Sequence, residues 1–265
     1  MDTNFIVIFS YFIVIYRIVQ LYEVLIAMSF QNQFTKTTTD ANLMETVHHG
    51  SAEYPFRYYY ENIALFDFKC IDWHWHSELE FIYIESGNVV FDIGTVHFEL
   101  NEGNGIMINS KILHRLQSSS DAIIPNFLFQ PSFIAPQDSL IYKKYINPVI
   151  SSSLEYLVFQ PDIPWQKKAL EIIKTIIAVQ KTEFNREIIV SMSVQQLWIL
   201  LLENLTFDQF ENMGAVISRT RLQLMMQYVH AHYSENITLE DIARTANISK
   251  STALHLFQNN LKLTP

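Results

Sequence analysis

The chain has 265 residues, of which 49% are apolar, and its formal net charge is −9 at pH 7. This length allows two domains with hydrophobic cores, and the apolar content excludes wholesale disorder. The single cysteine, Cys70, excludes an internal disulfide framework and favours a reducing compartment, while the acidic balance excludes a chain that binds nucleic acid over its whole surface.

The first 28 residues are apolar but do not have the pattern of a membrane anchor or a signal peptide. Arg17, Gln20 and Glu23 interrupt the apolar run before it reaches the ~20 residues that a bilayer-spanning helix needs. No Lys or Arg precedes the run, as a signal peptide would require. We expect residues 1–28 to be an extension upstream of the true start, with translation beginning at Met28; a membrane-anchored helix is the alternative.

A β-rich region follows a polar segment. Residues 29–53 predict a loose, polar lead-in. From residue 54 to about 133, short runs rich in Phe, Tyr, Ile and Val alternate with turn-forming Ser, Asn and Gly. Many short strands at such spacing are typical of a small antiparallel barrel or sandwich, and we place this domain at 54–160.

Two helical patterns come next, within residues 161–212. The segment 164–181 has one apolar stripe, formed by Trp165, Ala169, Ile172, Ile173 and Ile176. The segment 186–205 predicts a helix that is apolar around most of its circumference, which one face of a barrel can hardly cover. We expect this region to form a homodimer, with burial inside one chain as the alternative, and residues 207–218 to be a linker.

The last segment, 213–265, predicts two short helices joined by a tight turn. Thr238 can cap the first helix, with Asp241 at its third helical position. Asn247 suits the turn because Asn tolerates a left-handed backbone, and Ser249 can cap the second helix. This is the helix-turn-helix layout, in which the second helix enters the DNA major groove.

The spacing of this segment resembles the first helix-turn-helix of AraC/XylS-type transcriptional regulators. Members of that family normally carry two such units, so we expect this DNA-binding domain to be cut short after the first. His255 stands where the family usually has Arg, and Lys262 stands where it often has Gly. The matching segments are Tyr228–Ser234, Ile237–Ala243, Ile248–Ser251, Leu256-Phe257 and Leu261-x-x-Thr264-Pro265.

The resemblance implies that the chain binds double-stranded DNA. Residues 218–265 hold five Lys or Arg against three Asp or Glu, so this end is mildly basic while the remainder is acidic. We expect base or phosphate contacts from the second helix and backbone contacts from nearby arginines. The candidates are Lys250, Ser251, Thr252 and His255 on the helix, and Arg219, Arg221 and Arg244 around it.

A second motif lies in the β-rich region. His74, His76, Glu80 and Gly87 have the spacing His-x-His-x3-Glu-x6-Gly, which resembles the first motif of the cupin barrel. In an extended segment the two histidines point the same way, Glu80 on the next strand can meet them, and His114 can supply a fourth group. The second cupin motif usually has a Pro-x-Gly turn, but no Pro lies between residues 56 and 124.

Three interpretations of the histidine motif follow: the polar wall of an effector pocket, structural residues at the barrel mouth, and a catalytic metal site for Zn, Fe, Mn or Ni. The sensor domains of AraC/XylS-type regulators often show this run and generally hold a small effector, so we favour the first. We then expect no cofactor and no metal. The effector-binding candidates are His74, His76, Glu80 and His114, with Trp73, Trp75 and Tyr83 as aromatic faces that suit a sugar.

Together these patterns predict an α+β protein. A cupin-like antiparallel β-barrel precedes helices and a C-terminal all-α helix-turn-helix domain. We expect a cytoplasmic, homodimeric, ligand-responsive transcriptional regulator that is not an enzyme and does not bind membranes. The alternatives are a metal-dependent cupin enzyme that uses the four polar residues as ligands, and a regulator remnant that has lost DNA binding.

Overall fold

A computed structural model of the chain describes residues 36–40, 43–94, 96–182, 184–205, 213–233 and 235–261. The expected N-terminal extension over residues 1–28 lies outside this range. Among the helices within the range, none combines the length and apolar character that crossing a membrane requires.

The β-rich region consists of two antiparallel sheets, as predicted. One sheet has the strand order β1-β8-β3-β6-β9 and the other has the order β2-β7-β4-β5. The strands are β1 Phe56–Asn62, β2 Cys70–His74, β3 Leu79–Tyr83, β4 Asn88–Ile93, β5 Val96–Asn101, β6 Gly105–Ile108, β7 His114–Gln117, β8 Ile123–Phe129 and β9 Tyr156–Phe159.

The five-stranded sheet is buried on both of its faces. Side chains alternate along a strand, so neighbouring residues of β3 belong to different cores. Phe81 packs in the core that also contains the helices and stacks on Phe127 with ring centroids 5.3 Å apart. Ile82 packs in the second core, which also contains Phe91 from the four-stranded sheet. The even-numbered residues of β3, Glu80 and Ile82, therefore face the interior between the two sheets.

Helix α1 Asn147–Ile150 lies between β8 and β9, and two longer helices follow β9: α2 Pro164–Val179 and α3 Arg186–Asn204. Helix α2 buries its predicted stripe against β3, β8 and β9, and α3 packs on α2. On α3, Val190, Val194 and Leu197 are buried, as expected for one covered face.

The opposite face of α3 is apolar, and its side chains are exposed in the part of the chain that the structure describes. Ile188, Met192 and Ile199 are 62%, 67% and 58% exposed. Their spacing places them on one side of the helix. The nearly all-round apolar pattern of this helix therefore divides into a buried face and an exposed stripe.

The C-terminal helices are α4 Met213–His232, α5 Leu239–Thr245 and α6 Lys250–Leu261. Helix α4 begins at Met213, inside the segment 207–218 that was predicted to be a linker. The linker prediction is wrong from Met213 onward, because Gly214 lies near the helix start and does not break the helix there. The predicted caps are present: Thr238 and Asp241 form a reciprocal capping box, and the Ser249 hydroxyl accepts from the Thr252 amide at 3.1 Å.

These helices pack around a small core of their own. Asn247 takes the expected left-handed conformation in the turn, with φ of 55°. The helix-turn-helix predicted from the sequence is thus formed by α5 and α6 and supported by α4. Its buried residues are Leu222, Met225, Ile242, Ala243, Ala246, Ala253 and Phe257.

Candidate functional site

Both sheets and the segment before β1 line a cavity. Its empty volume, including the part open to solvent, is about 550 Å³. The interior-facing sides of β1, β2, β3 and β8 supply polar groups that apolar side chains such as Leu116 and Leu128 surround. The polar lining residues are Lys36, Thr37, Thr38, Glu45, His49, Tyr59, Glu61, His74, His76, Glu80 and Asn126.

The four residues of the histidine motif meet in the interior. His74 ends β2 and lies directly opposite His114, the first residue of β7, with ring centroids 4.1 Å apart. His76 follows β2, and one potential ligand nitrogen from each of the three imidazoles lies within 4.8 Å of the other two. Glu80 is the second residue of β3 and reaches the same point. His74, His76, His114 and Glu80 are called the histidine cluster below.

Backbone carbonyls orient all three imidazoles in the same way. The Nδ1 atoms of His74, His76 and His114 lie 2.7, 3.2 and 2.8 Å from the carbonyl oxygens of residues 72, 78 and 112. A carbonyl only accepts, so each Nδ1 carries the proton and donates it. In the neutral imidazole the proton is then absent from Nε2, whose lone pair is available inside the cluster.

Glu80 faces two of these nitrogens without a hydrogen bond between them. Its Oε2 atom lies 3.4 Å from Nε2 of His76 and 3.2 Å from Nε2 of His114. All three atoms are buried and have no hydrogen-bond partner among the described residues. A carboxylate oxygen facing an unprotonated nitrogen is repulsive unless a proton or a metal ion lies between them. A proton or a metal ion at this point would make both contacts favourable.

Burial and charge pull the cluster's pKa values apart. Burial lowers the pKa of His74 to about 3, and the nearby His114 acts in the same direction. Burial also opposes the charged form of His76, but attraction to Glu80 outweighs it and raises the pKa of His76. For Glu80, burial would raise the pKa, but His114 and His76 hold it well below its usual range. His76 and Glu80 are thus the proton-sharing pair of the cluster.

The histidine cluster fits a divalent transition metal. Three imidazole nitrogens and one carboxylate are ligands of Zn²⁺ and related ions, and carbonyl groups that fix the outer nitrogen are the usual support for such ligands. The sequence lacks the Pro-x-Gly turn that usually precedes the histidine of the second cupin motif. That turn is not needed, because pairing of β7 with β2 brings His114 into the cluster.

The predicted aromatic faces are not in the cavity. Trp73 lies beneath the guanidinium of Arg115, 5.3 Å from its ring, and the ring of Tyr83 contacts the ammonium of Lys174 at 4.8 Å. Trp75 binds the segment before β1 through its backbone and does not line the cavity. Side chains alternate between the two faces of a strand. Trp73 and Trp75 are direct neighbours of the histidines, and Tyr83 is three residues after Glu80 on β3, so all three aromatic side chains lie on the face opposite to the cavity.

Four polar residues that the sequence pattern did not indicate also line the cavity. Glu45 and His49 come from the supposed lead-in, and Tyr59 and Glu61 come from β1. Alternation along β1 was a usable signal for the last two, since Tyr58 and Tyr60 on the other face join the helix-side core. Nothing in the sequence pattern of residues 29–53 indicated that Glu45 and His49 lie against the barrel.

The DNA-contact candidates lie on or near helix α6. Lys250, Ser251, Thr252 and His255 are exposed, and Lys250 pairs with Glu240 of α5 at 3.2 Å. Arg244 is exposed and pairs with Asp241 at 3.3 Å. Arg221 is half-buried, and the side chain of Arg219 lies outside what the structure describes.

Known proteins resemble both parts of the chain. Residues 66–136 match the family model of the AraC-like ligand binding domain. The HTH-type transcriptional regulator YdeC of Bacillus subtilis (strain 168) is 33% identical over 234 residues, which cover 85% of this chain and 78% of that protein. Among solved structures, ToxT from Vibrio cholerae is 13% identical with a TM-score of 0.35, and covers 80% of this chain and 96% of its own.

A second solved structure, the AraC-like transcriptional activator CuxR, is 14% identical with a TM-score of 0.35 and covers 69% of this chain and 61% of its own. The identity and coverage of the Bacillus relative, together with the matching ligand-binding domain, decide the family. The chain belongs to the AraC-type family of helix-turn-helix transcriptional regulators.

Proposed function

We propose that this regulator binds a small polar effector in the cavity and double-stranded DNA through α5 and α6. The observation that carries the proposal is the cavity itself, in which carboxylates, imidazoles and hydroxyl groups from both sheets converge inside an apolar shell. Ligand sites generally have this composition. The regulator acts in the cytoplasm, where DNA and effector are both available.

The effector that suits this lining carries several hydroxyl groups, as a sugar does. A hydroxyl donates to a carboxylate such as Glu45 and accepts from a donor such as Lys36 or Thr37. Aromatic stacking on the sugar would not contribute, because Trp73, Trp75 and Tyr83 do not line the cavity. Recognition would rest on hydrogen bonds.

DNA binding is tested by selecting bound sequences from a random duplex pool with the purified chain. We expect one enriched sequence class, lost in Lys250→Ala and in Thr252→Ala because both side chains are exposed on α6. Lys181→Ala, on an exposed site next to α2, is the matched control and should retain the selected sequence. Enrichment that is the same for all four proteins would contradict DNA reading by α6.

We also propose a homodimer formed through the exposed stripe of α3. Isolated exposed apolar residues are common, but three on one helix face make a contiguous patch of the kind that protein interfaces cover. Two copies related by a twofold axis would bury the same stripe from both chains.

A second candidate is that the cavity holds a divalent metal ion as well as, or instead of, a free effector. The specific observation is the set of buried Nε2 and Oε2 atoms that converge without partners among the described residues. His74, His76, His114 and Glu80 would hold the ion, which would act as a Lewis acid and bind oxygen atoms of the effector.

Elemental analysis of the purified chain tests this candidate. We expect about one tightly bound transition metal ion per chain and none in His76→Ala. His97→Ala removes an exposed histidine outside the cavity and should leave the metal content unchanged. Equal, low metal content in all three proteins would leave the metal-free effector pocket as the function of the cavity.

A further inference from the structure

The cavity wall formed by β1 and β8 holds a fixed pair of polar side chains. Glu61 of β1 and Asn126 of β8 are 9% and 1% exposed, and both line the cavity. The Nδ2 atom of Asn126 donates to Oε2 of Glu61 at 2.7 Å and to the carbonyl oxygen of Ile124 at 3.2 Å. Two acceptors beside Nδ2 fix the orientation of the amide, so its other polar atom, Oδ1, is an acceptor. Glu61 and Asn126 are called the acceptor pair below.

The acceptor pair lies apart from the histidine cluster. On β8, Leu128 pairs with Glu80 of β3, whereas Asn126 pairs with Ile82. Residues two apart on a strand share a face, so Asn126 is one inward-facing position further along the wall than the partner of Glu80. Glu61 is further still, because β1 lies on the other side of β8 from β3. A ligand that fills the cavity therefore meets two separate polar regions.

The carboxylates of the cavity differ in what stabilises their charge. Burial opposes the charged form of Glu45, but the hydrogen bond from His49 and the nearby cluster histidines outweigh it and lower its pKa. The histidine cluster does the same for Glu80. Glu61 receives a neutral amide, and Lys36, which is exposed, is the only Lys or Arg among the described lining residues. A positive charge on the effector would be attracted to this wall, because charges interact strongly in an apolar surrounding.

We propose that the effector is an amino sugar, whose protonated primary amine binds the acceptor pair while its hydroxyl groups bind the rest of the cavity. This inference rests on the proposed function, in which a hydroxylated effector occupies the cavity. An ammonium group has three donors and no acceptor, so it complements a wall of acceptors. A hydroxyl group brings one donor and no charge, and its hydrogen bond to a carboxylate is weaker than that of an ammonium group.

Titration calorimetry of the full chain tests the inference with matched sugars. The probes are glucosamine, galactosamine and mannosamine, each measured beside its parent hexose and its N-acetyl derivative, which keep the ring and lack the charge. The measurements are made at about pH 6.5, below the pKa of an ordinary α-amino group. We expect one of the three amines to bind more tightly than both of its neutral counterparts by about tenfold or more, as a charged hydrogen bond predicts.

Glu61→Gln should remove this preference, because it keeps an acceptor for the amide of Asn126 and removes the charge. Glu99→Gln, on the exposed side of β5, is the matched control and should keep the preference.

The outcomes separate the inference from the proposed function. If the wild type binds a neutral hexose as tightly as its amine, the amino sugar is wrong while the hydroxylated effector stands, and this comparison needs no variant. A preference for the amine that persists in Glu61→Gln would also overturn the inference. If no sugar of the set binds the wild type, the proposed sugar effector fails and the inference fails with it.

Discussion

At the scale of single residues, the orientation of three histidine rings decides what the cavity can bind. Each Nδ1 is occupied by a backbone carbonyl, so every Nε2 turns inward. The spacing His-x-His-x3-Glu predicted that the two imidazoles and the carboxylate would converge, because residues two apart on a strand share a face. The same rule, applied to Trp73 and Trp75, would have excluded them from the cavity.

The glycines of the two turns give a residue-scale prediction about stability. Gly87 has φ of +80°, and a Cβ atom there would lie 2.6 Å from the carbonyl oxygen of Asp121. Gly103 has φ of +87°, but nothing lies within 4 Å of its added Cβ. Gly103→Ala should therefore cost only backbone strain, about 1 kcal/mol, whereas Gly87→Ala should cost about 2–4 kcal/mol because the turn must also move.

Urea unfolding followed by tryptophan fluorescence measures both variants, since Trp73, Trp75, Trp165 and Trp198 all lie in the barrel and its helices. A lower midpoint for Gly103→Ala than for Gly87→Ala would contradict the assigned turn geometry.

At the scale of elements, helices with strong apolar periodicity were predictable from the sequence, whereas the contact between the segment before β1 and the barrel was not. The stripe of α2 and the caps of α5 and α6 depend on residues close in the chain, so local spacing is sufficient evidence for them. The segment before β1 is held by backbone hydrogen bonds that join Leu43 and Glu45 to Trp75, which is distant in the chain, and no local sequence pattern indicates such bonds. Polar residues of a segment without periodicity, such as Glu45 and His49, can therefore line a cavity without any local signal in the sequence.

The exposed stripe of α3 leads to an element-scale prediction about assembly. Met192 is 67% exposed between Ile188 and Ile199, so a charge there changes the proposed interface and no buried contact within the chain. We expect Met192→Glu to be monomeric at micromolar concentration, where the wild type is dimeric, as measured by analytical ultracentrifugation. Lys168→Glu, on the exposed side of α2, should remain dimeric. A monomeric wild type would exclude the proposed interface.

The capping box of α5 gives a prediction about pH. The side chain and the backbone of Thr238 both bond Asp241 and lower its pKa. A lowered folded-state pKa means that this contribution to stability is present above the ordinary Asp value of about 3.9 and is lost as pH falls through the folded-state value. Amides of α5 should accordingly lose protection from hydrogen exchange as the pH falls below about 4.

Thr238→Ala should lower the free energy of opening of α5 by about 1 kcal/mol near neutral pH and weaken its dependence on acid. Asn236→Ala, at an exposed site just before the cap, is the control and should keep both. Exchange measured by mass spectrometry on peptides from residues 235–261 resolves the two variants. An unchanged acid dependence in Thr238→Ala would show that Asp241 does not act through the cap.

At the scale of the whole molecule, charge is divided between an acidic body and a mildly basic C-terminal segment, which the proposed function assigns to DNA. Residues 1–217 carry 13 Lys or Arg against 24 Asp or Glu, while residues 218–265 carry five against three. The excess negative charge of the body opposes non-specific binding and favours contact through the helix-turn-helix alone. Only a few phosphate contacts are then available to stabilise the complex.

A small number of side chains that contact phosphates should therefore set how steeply the affinity for DNA falls with salt concentration. Single substitutions can test each of these side chains. Each phosphate contact contributes roughly 0.9 to the slope of log affinity against log salt concentration. Lys250→Ala should lower that slope by about 0.9, and His255→Arg should raise it by a similar amount.

Glu240→Gln should strengthen binding, because Glu240 pairs with Lys250 at 3.2 Å and is itself repelled by phosphate. Lys181→Ala, on the acidic body, should leave the slope unchanged. Fluorescence anisotropy with a labelled duplex measures the affinity of all four variants at salt concentrations from about 50 to about 200 mM. Identical slopes for Lys250→Ala and the wild type would show that Lys250 of α6 does not contact the DNA backbone.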